Sequence, residues 1–300
     1  MGSCFADRMG VRLKEAKIPT NSNPLGIVYN PISIHNLLKS LWDNQYELRL
    51  RQSPHALWHS FDLHSSFSGF EEREIRKRIK ATFADVHIEL RKANLLIFTF
   101  GTAYVYRRKD TGDIVANCHK YPADFFEKSL LTVEEILAPF QDLFAQFFQH
   151  KPQLNIILTV SPIRHLKEGL ANNTLSKSIL RLACHQLSET FEEIAYFPAF
   201  EIMLDDLRDY RFYQDDFIHP TSFAEDYIWA QFVKHYFSDQ AKHLLAKWEK
   251  IQKSLAHRPL QKHSDAHHQF LLKLLENLKS LNTLLDCQAE IEEVTQRLRK

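Results

Sequence analysis

Two short, predominantly apolar runs constrain the fold most: Leu95–Phe100 and Asn155–Val160, stopped by Gly101 and by Ser161-Pro162 respectively. Apolar runs of this length without alternation suit strands buried on both faces. Long helical patterns surround them. Glu71–Lys92 carries dense charge and an apolar stripe through Ile75, Ile79, Phe83, Val86 and Leu90. Thr132–His150 opens on Thr132 with Glu135 three residues later, the pattern of a capping box. Cys4–Lys17, Pro31–Trp42 and Asn173–Phe191 also read as helices, Ile194–Phe197 as a short strand, and Pro19 with Asn21-Ser22-Asn23-Pro24 as a loop. Strands alternating with long helices call for crossover connections, so an α/β fold with a mostly parallel, helix-covered sheet is expected. In such sheets ligands gather beyond the carboxyl ends of the strands. Gly101-Thr102 and Ser161-Pro162 therefore fall on the expected functional rim.

From Ser222 onward the pattern is helical. Ser222-x-x-Glu225 reads as a second capping box opening a helix through Tyr236, and helical periodicity continues past a break at Arg258-Pro259 to Lys300. Leu271, Leu274, Leu275, Leu278, Leu281 and Leu285 recur at three- and four-residue steps, predicting a helical hairpin or coiled-coil-like appendage. The expected division is residues 1–237 as the α/β domain and 238–300 as a helical extension. Basic and acidic residues number 38 and 37, a net charge of +1, which leaves no excess for nucleic acid. No apolar run approaches the roughly 18 residues of a membrane span, and no secretory pattern opens the chain. Cys4, Cys118, Cys184 and Cys287 are scattered without C-x-x-C spacing. A reduced, cytoplasmic protein is the expectation.

The chemistry-bearing residues lie far apart. Gly2-Ser3 opens a helical segment, the way several hydrolases display a serine nucleophile. A serine hydroxyl needs a base to take its proton, and the base needs a group that fixes its tautomer. Asp216-Phe217-Ile218-His219-Pro220 offers both within one loop, and Pro220 biases His219 away from helical geometry. The D-x-x-H spacing alone is common: Asp265-Ala266-His267-His268 shares it at a surface helix start. In a chain with 16 histidines, the i,i+4 pairs His55/His59 and His263/His267 read as solvated faces, and no metal is expected. Cys4, next to Ser3, is expected to point into helix–sheet packing. Trp58, Tyr104, Tyr106 and Tyr213 read either as packing residues or as a sugar-stacking rim.

Gly2-Ser3-Cys4-Phe5-Ala6-Asp7 spells the signature for which the GSCFA family is named, and that family resembles a branch of the SGNH (GDSL-like) hydrolases. The likeness continues through Asn23–Pro31, Phe100–Ala103, Thr159–His165, and Tyr196-Phe197-Pro198 with Glu201, and it closes on Asp215–Pro220. It implies a flavodoxin-like three-layer sandwich and metal-independent acyl-ester hydrolysis without a cofactor. By position, Ser3 resembles the nucleophile, His219 the general base and Asp216 its orienter. The implied oxyanion hole uses the N–H groups of Ser3 and Gly26 with a donor from Gly101-Thr102. Thr102 stands where the wider superfamily has asparagine, so its hydroxyl is the candidate substitute. Asn30, His64, Ser161 and His165 fall in similar stretches and are expected near the pocket. In relatives a buried strand precedes the Gly-Ser block, whereas here Met1 directly precedes Gly2; the chain as given is expected to leave Ser3 on a frayed terminus, with weak activity. The implied substrate is a small acyl ester, an acetylated sugar being one candidate. The same residues would serve an acyltransferase. The alternative is an impaired hydrolase scaffold acting as an interaction protein, or self-associating, through its C-terminal helices.

Overall fold

The two apolar runs pair with each other as parallel neighbours. A computed structural model describes residues 1–53, 55–259, 261 and 264–299. The chain begins with α1 (Cys4–Glu15), α2 (Pro31–Trp42), the short β1 (Arg51–Gln52) and β2 (Trp58–His59), and α3 (Glu72–Lys92). It continues with β3 (Leu95–Phe100), β4 (Tyr104–Arg108), β5 (Ile114–Val115), β6 (Phe126–Leu130), α4 (Val133–His150) and β7 (Asn155–Val160). Then come α5 (Leu170–Thr190), β8 (Ile194–Tyr196), α6 (Ala199–Leu204), α7 (Ser222–Tyr236), α8 (Asp239–Ala256), α9 (Asp265–Leu281) and α10 (Gln288–Leu298). Among the described residues no helix is long and apolar enough to cross a membrane.

The fold is α/β. β3, β7 and β8 form a parallel sheet in that order, with Leu95 opposite Asn155 and Phe100 opposite Val160. That register sets Gly101 and Ser161 side by side at the carboxyl ends. The sheet is held by aromatic packing against α4: Phe100 meets Phe140 at 5.4 Å and Phe98 meets Phe144 at 6.1 Å between ring centroids. Truncating one such buried ring typically costs about 3–5 kcal/mol. The helix starts follow their local chemistry. Asn30 accepts the Ser33 N–H at 2.8 Å ahead of Pro31 at the head of α2. In α4 the Thr132–Glu135 box closes in both directions, at 2.8 and 3.2 Å. At α7 the expectation is corrected: Ser222 lies inside the helix, and the Thr221 hydroxyl accepts the Ala224 N–H at 3.3 Å.

One layer escaped the sequence reading. β5, β4 and β6 form an antiparallel sheet in that order, inserted between β3 and α4, and β1 pairs antiparallel with β2. Phe61, Val115 and Phe126 form its small core. Tyr104 and Tyr106 are β4 residues with the Lys128 ammonium over their rings, and Tyr213 is buried beneath Arg164. Trp58 belongs to β2. His59 is no solvated histidine: it is 1 % exposed and packs 4.2 Å from the His119 ring, while His55 is exposed. His263 lies outside the described residues, and His267 stacks on Phe270 in α9.

The chain divides into two compact units, Met1–Gly10 with Asn21–Ile228 and Val11–Thr20 with Trp229–Lys300. The second has its own core of Trp248, Leu271, Leu274, Leu278, Leu281 and Val294, with α9 and α10 packed as a hairpin. Within it Lys17 pairs with Glu290 at 2.6 Å, and the Trp248 indole donates to the Glu15 carbonyl at 2.6 Å.

Candidate functional site

The start of the chain is tied to the sheet. The Met1 ammonium donates to the Ile97 carbonyl at 2.7 Å, Thr99 N–H to the Met1 carbonyl at 3.0 Å, and Ser3 N–H to the Thr99 carbonyl at 3.0 Å. Gly2 thus bridges Thr99 in parallel, on the β3 edge not taken by β7. The expected fraying at Ser3 is corrected: backbone groups of Met1, Gly2 and Ser3 bond to β3 and to the loop after α1. Gly2 has φ +144°, and a Cβ there would overlap the Thr99 carbonyl, so the approach requires glycine.

A polar brace that the sequence reading missed holds the Gly-Ser turn from the other side. Gly2 N–H donates to Asn23 Oδ1 at 2.7 Å, and Asn23 Nδ2 donates to Asp7 Oδ1 at 2.8 Å. The Ser22 hydroxyl adds a second contact to Asp7 at 3.1 Å. Asn23 adopts φ +43°, a conformation its side chain tolerates better than most. The signal was present: Asp7 ends one family block and Asn23 opens the next. Ser3 itself is 1 % exposed, and its Oγ has no hydrogen-bond partner among the described residues. Cys4 is half-buried, and its Sγ lies 3.2 Å from the Tyr29 hydroxyl.

The second component is the Asp216–His219 loop. Tyr213 and Pro220 bridge in antiparallel fashion, and Gln214 N–H donates to the His219 carbonyl at 2.8 Å, closing the loop on itself. His219 Nδ1 lies 2.6 Å from Asp216 Oδ2. Asp216 Oδ1 accepts the N–H groups of Ile218 at 2.8 Å and His219 at 3.0 Å. The bonds from His219, backbone and ring, together with the Ile218 N–H, hold this carboxyl down to about 2. An ionised Asp216 accepting the Nδ1 proton leaves His219 Nε2 as the open lone pair. Phe217 takes φ +56°, the turn that lets both N–H groups converge on Asp216. The loop docks at the carboxyl end of β7, where Arg164 N–H donates to the Ile218 carbonyl and its guanidinium to the Phe217 carbonyl, both at 3.3 Å.

Between these components lie Tyr29, Gly101 and His165. Tyr29 packs edge-on against the His165 ring at 5.5 Å, and its carbonyl accepts the N–H groups of Gly101 at 2.8 Å and Thr102 at 3.2 Å. The Nε2 of His165 is buried with no hydrogen-bond partner among the described residues. Burial, reinforced by the charges of Lys177 and His219, lowers His165 to about 3 and keeps it neutral. No hydrogen bond joins Ser3 Oγ to His219, since Ser3 Oγ has none.

The N–H groups assigned to the oxyanion hole have other acceptors. Ser3 donates to Thr99, Gly26 to the Asn23 carbonyl at 2.7 Å, and Gly101 and Thr102 to Tyr29. These bonds close the turns that shape the site. The Thr102 hydroxyl lies 3.1 Å from Ser176 Oγ and accepts the Tyr104 N–H at 3.1 Å, a structural engagement. Asn30 is spent capping α2 and bonding the Val115 carbonyl, and Ser161 Oγ accepts the Ile163 N–H at 3.2 Å. His64 lies over Gly26, where an added Cβ would overlap its own, and its Nδ1 accepts the Ser66 N–H at 3.2 Å.

α5 contributes three residues the sequence reading did not single out. Asn173, Ser176 and Lys177 head the same inward stripe that continues through Leu180, Ala183, Cys184 and Leu187. Asn173 Oδ1 accepts the His165 N–H at 2.8 Å, and Ser176 Oγ accepts the Ala103 N–H at 2.8 Å. Lys177, 1 % exposed, donates to the carbonyls of Gly101 at 2.6 Å and Ser161 at 2.8 Å, tying the ends of β3 and β7 together. Burial pulls this ammonium down to about 7. Polar residues on an otherwise apolar helix face were the available clue.

A family model described as the GSCFA family matches residues 1–232, and one described as the GSCFA domain protein, C-terminal domain, matches residues 248–300. No curated protein and no solved structure matches the chain.

Proposed function

The chain belongs to the GSCFA family, and from that premise we propose that it is a serine hydrolase of the SGNH type, cleaving a small acyl ester, an acylated sugar being one candidate. On this reading the β3-β7-β8 sheet, with Gly2 bridging β3, is the core of a flavodoxin-like three-layer sandwich. The observation that carries the proposal is the pairing of His219 with Asp216 at 2.6 Å in a loop docked on the same sheet end as the partnerless Ser3 hydroxyl.

His219 Nε2 takes the Ser3 proton as Oγ bonds to the acyl carbon. The tetrahedral intermediate collapses when His219 returns the proton to the departing alkoxide, leaving an acyl ester on Ser3. Water, deprotonated by His219, then attacks this ester, and the second tetrahedral intermediate collapses as His219 returns the proton to the departing Ser3 Oγ and the acid is released. The reaction requires a Ser3–His219 hydrogen bond that the free protein lacks; such bonds often tighten only in the substrate complex. Ser3 immediately precedes α1, whose first-turn N–H groups at Cys4 and Phe5 have no intrahelical acceptor, so the helix head favours the oxyanion.

The engaged N–H groups and the missing Ser3–His219 bond favour a second reading, a scaffold of this family without turnover. An acyltransferase would use the same residues with an alcohol in place of water. Hydrolysis of p-nitrophenyl acetate by the purified full chain, with Ser3→Ala as control, tests the proposal. Turnover lost in the variant supports it; turnover indifferent to Ser3 removes that residue from the mechanism.

A further inference from the structure

We propose that His165 is a catalytic residue for this reaction, its neutral Nε2–H donating to the oxyanion opposite the head of α1. This rests on the hydrolase reading and adds a side-chain donor to the backbone N–H groups at the head of α1. The sequence-level candidates are occupied: the N–H groups of Ser3, Gly26, Gly101 and Thr102 and the Thr102 hydroxyl all bond within the fold. His165 Nε2 differs from them: it is buried with no hydrogen-bond partner among the described residues, as are Ser3 Oγ and His59 Nε2, and such a group calls for an explanation.

Its contacts run toward both the Gly-Ser turn and the His219 loop. A Cβ added to Gly101 would lie 3.1 Å from the Tyr29 carbonyl and 3.3 Å from His165 Nε2, so the glycine lets the imidazole nitrogen pack close against the end of β3. The His165 ring stands edge-on to Tyr29, whose hydroxyl reaches Cys4, the residue after Ser3. Asn173 fixes the His165 backbone through its N–H at 2.8 Å, and Arg164 beside it carries the His219 loop. The position is also electrostatically suited to donation rather than to base catalysis. Burial with Lys177 and His219 nearby keeps the imidazole neutral down to about pH 3, too weak a base to hold the Ser3 proton. A neutral imidazole can still act as an electrophile toward developing negative charge, a role open to any histidine whose environment lowers its basicity.

The experiment measures p-nitrophenyl acetate turnover and fluorophosphonate labelling of the full chain as wild type, Ser3→Ala, His165→Phe and His165→Gln. Loss of one oxyanion donor costs about 10²–10³ in rate, so His165→Phe should lose that much kcat with KM changed little, and His165→Gln, which restores an N–H, should recover part of it. A packing role alone would give no recovery with glutamine. Ser3-dependent turnover with wild-type kcat in His165→Phe overturns the His165 assignment and leaves the hydrolase reading standing. Absent or Ser3-independent turnover, with no label on Ser3, ends the hydrolase reading and this assignment with it. Should His165→Phe fail to fold, the wild-type protein still decides: the His165 ring N–H proton resonance should move downfield when Ser3 is phosphonylated, and an unmoved resonance overturns the assignment.

Discussion

At the scale of single residues, the site is a set of side chains whose protonation is fixed by their neighbours. Asp216 stays ionised because two N–H groups and an imidazole converge on it. Asp216→Asn should keep the loop but reverse the tautomer preference of His219, lowering kcat by roughly 10²–10⁴ in esterase assays. His165 makes a separate prediction about stability. Its pKa falls from 6.5 to about 3 on folding. Between those values the unfolded chain binds a proton the folded one refuses, so this contribution is complete above pH 6.5 and is lost as pH falls toward 3. His119, lowered to about 4 chiefly by burial, acts in the same direction. Thermal melts of His165→Gln should therefore decline less steeply than wild type between pH 6.5 and 3; parallel slopes would contradict the assignment. The Asp216–His219 pairing was legible because both residues fall within one short family block. The Asp7–Asn23 brace and Lys177 were not, because their roles depend on contacts between segments distant in sequence, and no local pattern records those contacts.

At the scale of elements, glycines and one buried lysine hold the rim together. Gly26 takes φ +83° beneath His64, so Gly26→Ala should cost more than about 1 kcal/mol in denaturant melts, from backbone strain and from overlap with the histidine. Lys177→Met leaves the Gly101 and Ser161 carbonyls without their donor. The lost bonds outweigh relief of the buried charge, and a destabilisation of about 1–3 kcal/mol is expected. A variant as stable as wild type would show that the lysine is not a clamp. The apolar strands and long amphipathic helices were readable because period and length agreed along each one. The antiparallel β4–β6 layer was not: two of its partners are short or mixed in polarity, and its pairing is settled by a small aromatic core from scattered positions. The α7 cap was misplaced by one residue because Thr221 and Ser222 are both capable N-caps, and local sequence does not choose between them.

At the scale of the whole molecule, the two compact units carry separate cores, one around β3 and β7 and one around α8, α9 and α10. Leu278 is wholly buried in the second. Leu278→Ala should remove about 2–5 kcal/mol from that unit while leaving the chemistry at Ser3 unchanged, as read by thermal denaturation beside esterase assay. The hairpin of α9 and α10 was legible in the leucine spacing; the grouping of Val11–Thr20 with it was not, because that segment reads as the end of α1 and a loop. The central claim is that Ser3 is a nucleophile activated by His219. Its most direct measurement is peptide mapping of the folded full-length protein after reaction with a fluorophosphonate. A single adduct on Ser3, lost in His219→Ala, is expected; an unlabelled Ser3 in a folded sample, or labelling undiminished without His219, would contradict activation of Ser3 by His219.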